Sequence, residues 1–314
     1  MSSAEPVAWV LNLDAEDELA RGGAHTPTAV MTARIQSLIP RLSSALTPTL
    51  SPAGERERGL ILRGDRVLWP GEGTVPPGMQ GRAWCPTRWA LTQMERAQLR
   101  LPRAPSVDVL RRVNHRRFAH DLGQALPVAG FATSANELTA LLSAPLERFS
   151  EERCWLIKRP LGYAGRGRRK LRAGELSTAD QSWLEASLRT GDGLQVEPWV
   201  HRELDCALHG WLGEDGSCVF GQPTLQEVDA TGAWQSTVVA PGGSIHPGEL
   251  EQLSQEAHRT ADALRAAGYF GPFGLDAFRW RSPDGDLHFQ PRSEVNARYS
   301  MGWAVGMGGF RPAS

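Results

Sequence analysis

The chain has 314 residues, 41% of them apolar, with 34 basic and 35 acidic side chains and a formal net charge of −1. That length allows two domains or one large one, and near-neutrality argues against nucleic-acid binding driven by phosphate neutralisation. No apolar run is long enough to span a membrane, and the opening Met1-Ser-Ser-Ala-Glu-Pro lacks the basic and apolar segments of a signal peptide, so a cytoplasmic protein is expected.

In chain order, residues 7–13 read as a buried strand followed by an acidic turn from Asp14 to Asp17. The segment 27–47 is compatible with helix. Residues 59–63 and 67–69, with a turn between them, read as a hairpin. Residues 70–86, rich in Gly and Pro, read as loop. Residues 100–105 read as a linker, because two close prolines discourage helix. Ser106 caps a helix expected to run to about Gln124, with Val107, Leu110, Val113, Phe118 and Leu122 along one face. A helix at 136–142 and a strand at 155–157 follow, then a Gly/Arg-rich loop and a helix at 179–189. Several strands run from Leu194 to Trp234. A helix at 247–267 and a hairpin at 274–296 complete the pattern. Alternating strands and helices predict an α/β or α+β architecture.

The four cysteines, Cys85, Cys154, Cys206 and Cys218, form neither a C-x-x-C pair nor a zinc-finger spacing and read as free thiols. Of the basic residues only Lys158 and Lys170 are lysines. Where arginine serves as the general cation, a remaining lysine hints at a need for a compact ammonium group.

Three constellations carry chemistry. The first is Lys158-Arg-Pro-Leu-Gly162-Tyr-Ala-Gly165-Arg-Gly167. Backbone N–H groups of a glycine loop can approach phosphate oxygens, and the lysine adds a point charge. Neither the P-loop nor the dinucleotide fingerprint is present, and a solvated basic loop is the alternative. The second is Val196-Glu197-Pro-Trp199-Val200, with Glu203 and Asp205 beyond it. Glu197 can accept from an exocyclic amine, backbone groups near Trp199 and Val200 can read a purine edge, and a following acid can hold ribose hydroxyls. A glutamate on an exposed strand face is the alternative.

The third constellation is Asp276, the turn Pro283-Asp-Gly285-Asp, and Arg292-Ser-Glu294-Val-Asn296-Ala-Arg298. Folding a hairpin symmetrically about Gly285 sets Asp276 opposite Glu294, with Cβ atoms about 4.5–5.5 Å apart. Glu294 and Asn296 share a face. The three side chains thus converge as hard oxygen ligands of the kind Mg²⁺ takes beside nucleotide phosphates. An arginine-paired carboxylate cluster is the alternative, with Arg292 and Arg298 close in sequence. Pro291 implies a bulge or an edge that can shift the register.

With these three constellations in this order, the chain resembles the ATP-grasp superfamily over residues 106–304. The resemblance implies an α/β fold of α+β subdomains. A Rossmann-like pre-ATP-grasp domain would span 1–105, a central subdomain with the flap 106–193, and a C-terminal subdomain with hinge and metal site 194–314, ATP lying between the last two. It implies that Lys158 contacts the nucleotide phosphates and the adenine edge, that Gly165 and Gly167 of the flap bind ATP with it, and that Glu197, Trp199 and Val200 hold adenine. Asp205, or else Glu203, holds the ribose, and Asp276, Glu294 and Asn296 bind two Mg²⁺. Arg298 contacts the phosphoryl group or substrate, with Arg292 assisting. The family's second phosphate-binding lysine is absent, and Arg116 is the candidate in its place, a helix-surface arginine being the alternative.

The implied reaction is ATP-dependent ligation: a carboxylate becomes an acyl phosphate and is joined to the amine of an amino acid or peptide-like substrate. A kinase acting on a small molecule, or a catalytically degenerate nucleotide-binding protein, are the alternatives. The partners expected are small carboxylates and amines, with no nucleic acid and no membrane. The oligomeric state stays open, a dimer included. Gln226, Glu227 and residues 299–302 are expected to border the acceptor pocket, and residues 1–105 carry no recognised motif.

Overall fold

The computed structural model describes residues 5–23, 25–43, 60–62, 64–68, 75–162, 166–228 and 234–312. Gly59, Arg63 and 69–74 of the expected hairpin and loop, and Tyr163, Ala164 and Gly165 of the flap, lie outside them.

The chain begins with β1 (Val7–Val10), buried at all four positions. The expected acidic turn is instead α1 (Ala15–Arg21), whose first turn holds Glu16, Asp17 and Glu18. Acidic side chains there complement the positive end of the helix dipole. Next comes α2 (Ala29–Leu42), whose N-cap Thr28 accepts from the Met31 N–H. Then β2 (Arg66–Val67) and β3 (Gln80–Ala83) each pair parallel with β1, in the order β2-β1-β3. Two expectations therefore fail. Val67 pairs with Trp9 of β1 and Ile61 bridges Ser43, so among the described residues no hairpin joins the two segments. The Gly- and Pro-rich region contains β3, because β1 offers a second open edge.

After α3 (Arg88–Arg96), residues 101–105 are irregular, as expected of a linker. Ser106 caps α4 (Val107–Asn114), but the helix ends early. His115 turns to extended backbone, and its Nδ1 accepts from the Arg117 N–H to start α5 (Arg116–Asp121). Beyond lie β4 (Gly130–Ala132), α6 (Ala135–Leu142), β5 (Cys154–Lys158), β6 (Arg168–Arg172), α7 (Thr178–Leu188) and β7 (Leu194–Pro198). Their strands form an antiparallel sheet, β4-β7-β5-β6.

The largest sheet, β11-β10-β8-β12-β13 with β9 on β8, comes from β8 (His201–Leu212), β9 (Cys218–Phe220), β10 (Thr224–Val228), β11 (Trp234–Val239), β12 (Gly271–Arg281) and β13 (Leu287–Asn296). The long helix α8 (Pro247–Ala266) precedes β12, and α9 (Trp303–Gly306) follows β13. No helix among the described residues is long and apolar enough to cross a membrane.

One apolar core joins the first and largest sheets, taking Trp9, Leu19, Leu110, Val113, Phe273 and Tyr299. Trp9, Tyr299 and Trp303 meet edge to face, with centroids 5.1 and 4.8 Å apart. A second core lies on the four-stranded sheet around Trp155, Ile157 and Leu194, and β12 sends Phe278 and Trp280 into it. Fully burying such a side chain contributes about 1.5–3 kcal/mol. Strand β12 therefore has an end in each core, and its middle faces the space between them. All four cysteines are free thiols, Cys218 partly exposed and the others buried.

Candidate functional site

A cavity of about 630 Å³ opens between the sheets. Its wall includes Asp276, Glu294 and Asn296 from the β12–β13 hairpin. The pairing is the expected one, Asp276 opposite Glu294 and Gly274 opposite Asn296. Toward the turn the register shifts: Phe278 pairs with Gln290, so Pro291, Arg292 and Ser293 oppose Ala277 alone. Pro291 has no N–H to give the ladder, and the extra residues form the bulge the proline implied.

That bulge decides the fate of Arg292. Regular alternation would put it on the face of Glu294. Instead its guanidinium turns to α8, where it pairs with Glu256 and donates to the Gly123 carbonyl. Arg292 does not reach the cavity, and the catalytic role expected of it is withdrawn.

Asp276 accepts from the Gln226 amide at 3.1 Å and from Asn296 Nδ2 at 3.0 Å. It forms no ion pair among the described residues. Burial first, and the Glu294 charge second, push its carboxyl up to about 6. Glu294 is bound by Arg116, Nη1 to Oε1 at 2.8 Å. Arg116 also donates from Nε to the Arg159 carbonyl at 3.1 Å and from Nη2 to the Gly162 carbonyl at 3.1 Å. The arginine-paired alternative thus holds for Glu294 and not for Asp276, and Arg116 ties α5 to the start of the flap. Among the described residues no three His, Cys, Asp or Glu side chains are grouped to hold a metal. Two carboxylates, one without a counter-ion, and an amide oxygen are nevertheless the hard donor chemistry a divalent cation takes.

Lys158 also lines the cavity. Its ammonium lies 2.5 Å from Glu197 Oε2, both side chains being nearly buried. Burial pulls the Lys158 value down, and Glu197 opposes that shift. Glu197 itself is not part of the cavity wall. A buried carboxylate needs a cation, and this one holds the lysine through Oε2. Trp199, Val200 and Asp205 do line the cavity. The Trp199 N–H is engaged by the Cys154 carbonyl at 2.8 Å, while among the described residues the Val200 N–H donates to no backbone acceptor. Lys170 sits 4.1 Å from the centre of the Trp199 ring, a cation–π contact. Asp205 pairs with Arg202 at 2.9 Å. Glu203 pairs with Arg281 at 2.5 Å and lies off the cavity. Gly167, at φ +71, accepts from the Arg159 N–H at 2.7 Å and closes the base of the flap, while Gly165 lies outside the described residues.

Arg298 lines the cavity from behind the trio, its Nε 2.5 Å from Glu16 of α1 and its Nη1 donating to the Tyr299 carbonyl at 3.0 Å. Gln226, Ser300, Met301 and Gly302 border the cavity as expected, whereas Glu227 bonds Ser236 and stays off it. The N-terminal contribution was not foreseen: Leu13, Met31, Arg34, Leu38 and Trp84 complete the wall. Sequence spacing gave no signal for it beyond Met31, Arg34 and Leu38 recurring every three or four residues along α2.

Behind Ser300 lies His209, 1% exposed. Ser300 Oγ is 3.2 Å from Nδ1, and Thr224 Oγ1 lies 3.5 Å from Nε2 while donating to the Ala207 carbonyl at 3.3 Å. Both ring nitrogens thus have a hydroxyl partner, one to give and one to receive a hydrogen when the imidazole is neutral. A Cβ on Gly274, Gly302 or Gly306 would come within 2.8, 2.9 or 2.7 Å of the ring. The site is shaped around an imidazole that burial pushes down to about 4. A base whose folded value lies below its unfolded value costs stability as pH falls, from about 6.5 downward and fully by about 4. Wild type should lose on the order of 3 kcal/mol across that window through this residue. Urea midpoints at neutral pH and near pH 4 check this, His209→Gln losing less; equal losses in the two proteins would contradict it.

No protein-family model and no curated protein matches the chain. Solved structures do. A Rhizobium etli pyruvate carboxylase matches with TM-score 0.50 and 14% identity over 96% of this chain and 27% of its own. N5-carboxyaminoimidazole ribonucleotide synthetase from Thermus thermophilus matches with TM-score 0.49 and 16% identity, over 94% and 72%. The biotin carboxylase domain of Hydrogenobacter thermophilus 2-oxoglutarate carboxylase matches with TM-score 0.48 and 13% identity, over 73% and 52%. The chain thus spans about half of that last protein and about a quarter of the first.

Proposed function

We propose that this chain, which has the ATP-grasp fold, is an ATP-dependent ligase that joins a carboxylate to an amine in the cavity between its sheets. The observation that carries the reading is the meeting of Asp276, Glu294 and Asn296 on one cavity wall, with Asp276 uncompensated and Lys158 also on the wall. In this reading Lys158 stands at the nucleotide phosphates, the Val200 N–H reads the adenine edge and Asp205 holds the ribose. Glu197 keeps Lys158 in place. Gly162, at the start of the flap, lines the cavity with Lys158, and Arg116 adds positive charge beside the phosphates.

Asp276, Glu294 and Asn296 would hold two Mg²⁺, which supply charge neutralisation between a carboxylate and a triphosphate. The substrate carboxylate attacks the γ-phosphorus in line, its new O–P bond forming as the bond to ADP breaks. An amine then adds to the acyl carbon, expels phosphate and loses a proton, leaving an amide. No protein nucleophile is needed. Holding the reactants in line contributes about 7–11 kcal/mol, and a covered cavity keeps water from the acyl phosphate.

The test is to supply ATP, Mg²⁺ and pools of amino acids and short peptides, follow phosphate release, and identify the product by mass. ADP, phosphate and an amide support the ligase. A persistent phosphorylated compound would make the protein a kinase instead. Nucleotide binding without turnover on any carboxylate–amine pair would leave a nucleotide-binding protein without ligase activity.

A further inference from the structure

The charges around the cavity fall into closed pairs. Arg116 binds Glu294, Lys158 binds Glu197, Arg202 binds Asp205, Arg298 binds Glu16 and Lys170 binds Glu152. Arg166 and Arg168 have partners of their own. Two charged side chains on the wall remain without an opposite charge among the described residues: Asp276 and Arg34. Asp276 belongs to the trio, whose donor chemistry calls for a cation. Arg34 calls for an anion.

The surroundings of Arg34 say what kind. It projects from α2, on a face shared with Met31 and Leu38, and Leu13 and Trp84 are also among the N-terminal residues of the wall. Met31 is 2% and Trp84 3% exposed. An apolar wall lowers the local dielectric and strengthens a charge pair formed there. This wall comes from the N-terminal sheet and its helices. Lys158 and the trio stand on the other two sheets, so Arg34 brings to the same cavity a cation from a separate part of the chain.

We propose that the second substrate is an organic anion with an apolar body, its carboxylate or phosphate group bound by Arg34 and its body against Leu13, Met31, Leu38 and Trp84. The proposal rests on the ligase reading, and it names that enzyme's substrate class. Arginine suits the task because its planar fork matches both anions in a bidentate manner, which lysine does not.

Calorimetric titration tests it with isocaproate, isoamyl phosphate and the neutral isostere isocaproamide as probes, with and without MgADP. At least one of the two anions should bind wild type, about tenfold or more tighter than the amide. Arg34→Gln should weaken that anion by a similar factor, Arg34→Lys by less, and neither should change MgADP affinity or the thermal midpoint. Which anion depends on Arg34 distinguishes carboxylate from phosphate. If neither anion binds wild type, or Arg34→Gln binds them equally well, the proposal is overturned. Failure of MgADP to bind would sink the nucleotide reading instead, and the titrations without nucleotide would still decide the role of Arg34.

Discussion

Asp276→Asn is expected to cut ATP turnover by about a thousandfold or more while leaving the thermal midpoint unchanged or raised. The two effects have separate causes. Asp276 stands opposite Glu294, is buried, and has only amide donors for company. Its carboxyl is pushed up to about 6. An acid raised in the folded state costs stability once pH exceeds its unfolded value, and the cost is complete above the folded value. At neutral pH, removing the charge therefore relieves the fold, while one amide must turn to face the new NH₂ group. The activity loss follows from the chemistry such a carboxylate supports: a metal ligand at a phosphoryl group contributes several kcal/mol to the transition state, and about 1.4 kcal/mol is a factor of ten. A divalent cation should also stabilise wild type, by about 2.7 kcal/mol at a hundred times its dissociation constant, raising its midpoint, and should do little for the variant. Phosphate release and thermal melts with and without Mg²⁺ read all three. A variant that is less stable and still turns over would show Asp276 to be a structural acid.

The hairpin that carries Asp276 was legible because its signal is local. A Pro-Asp-Gly-Asp turn and alternating strands fix the pairing within a few residues, and Pro291 announced the bulge. Where Arg292 went was not legible. Its direction depends on how the bulge resolves and on Glu256, thirty-six positions away on α8. Glu197 shows a related gap. Its motif looked like a ligand contact, but the register Leu156↔Glu197 and Lys158↔Gln195 sets the two strands so that glutamate and lysine meet each other, and cross-strand partners cannot be read from either strand alone. The N-terminal sheet was the least legible. Its strands are short and parallel, paired across more than fifty residues, and turn residues surround them without marking a hairpin. Glu16 illustrates the cost of that gap. In the sequence it belongs to an acidic turn; in the fold it is the buried partner of Arg298. Arg34 stayed hidden for the same reason, since the residues of the other sheets that its helix meets around the cavity lie far away in sequence.

Lys158→Met should lower both stability and nucleotide affinity, and a second substitution should separate them. Alone, Lys158→Met strands the Glu197 carboxylate in the core; Glu197→Gln alone strands the ammonium. Breaking a buried pair from one side typically costs about 3–5 kcal/mol, whereas replacing both partners by neutral groups of similar size is often close to neutral. The double variant Lys158→Met/Glu197→Gln should therefore recover most of the lost stability, giving an interaction energy of a few kcal/mol in a double-mutant cycle on urea unfolding. It should not recover the nucleotide. In the proposed function the ammonium lining the cavity meets a phosphate, and a charge-assisted bond is worth about 1.5–3 kcal/mol, so MgATP should bind both Lys158→Met proteins about tenfold to a hundredfold more weakly than wild type. Glu197→Gln keeps the ammonium and should retain more of the affinity than either. Were the double variant to bind MgATP as wild type does, Lys158 would be no more than the counter-ion of a buried glutamate, and the phosphates would have to be held elsewhere on the wall.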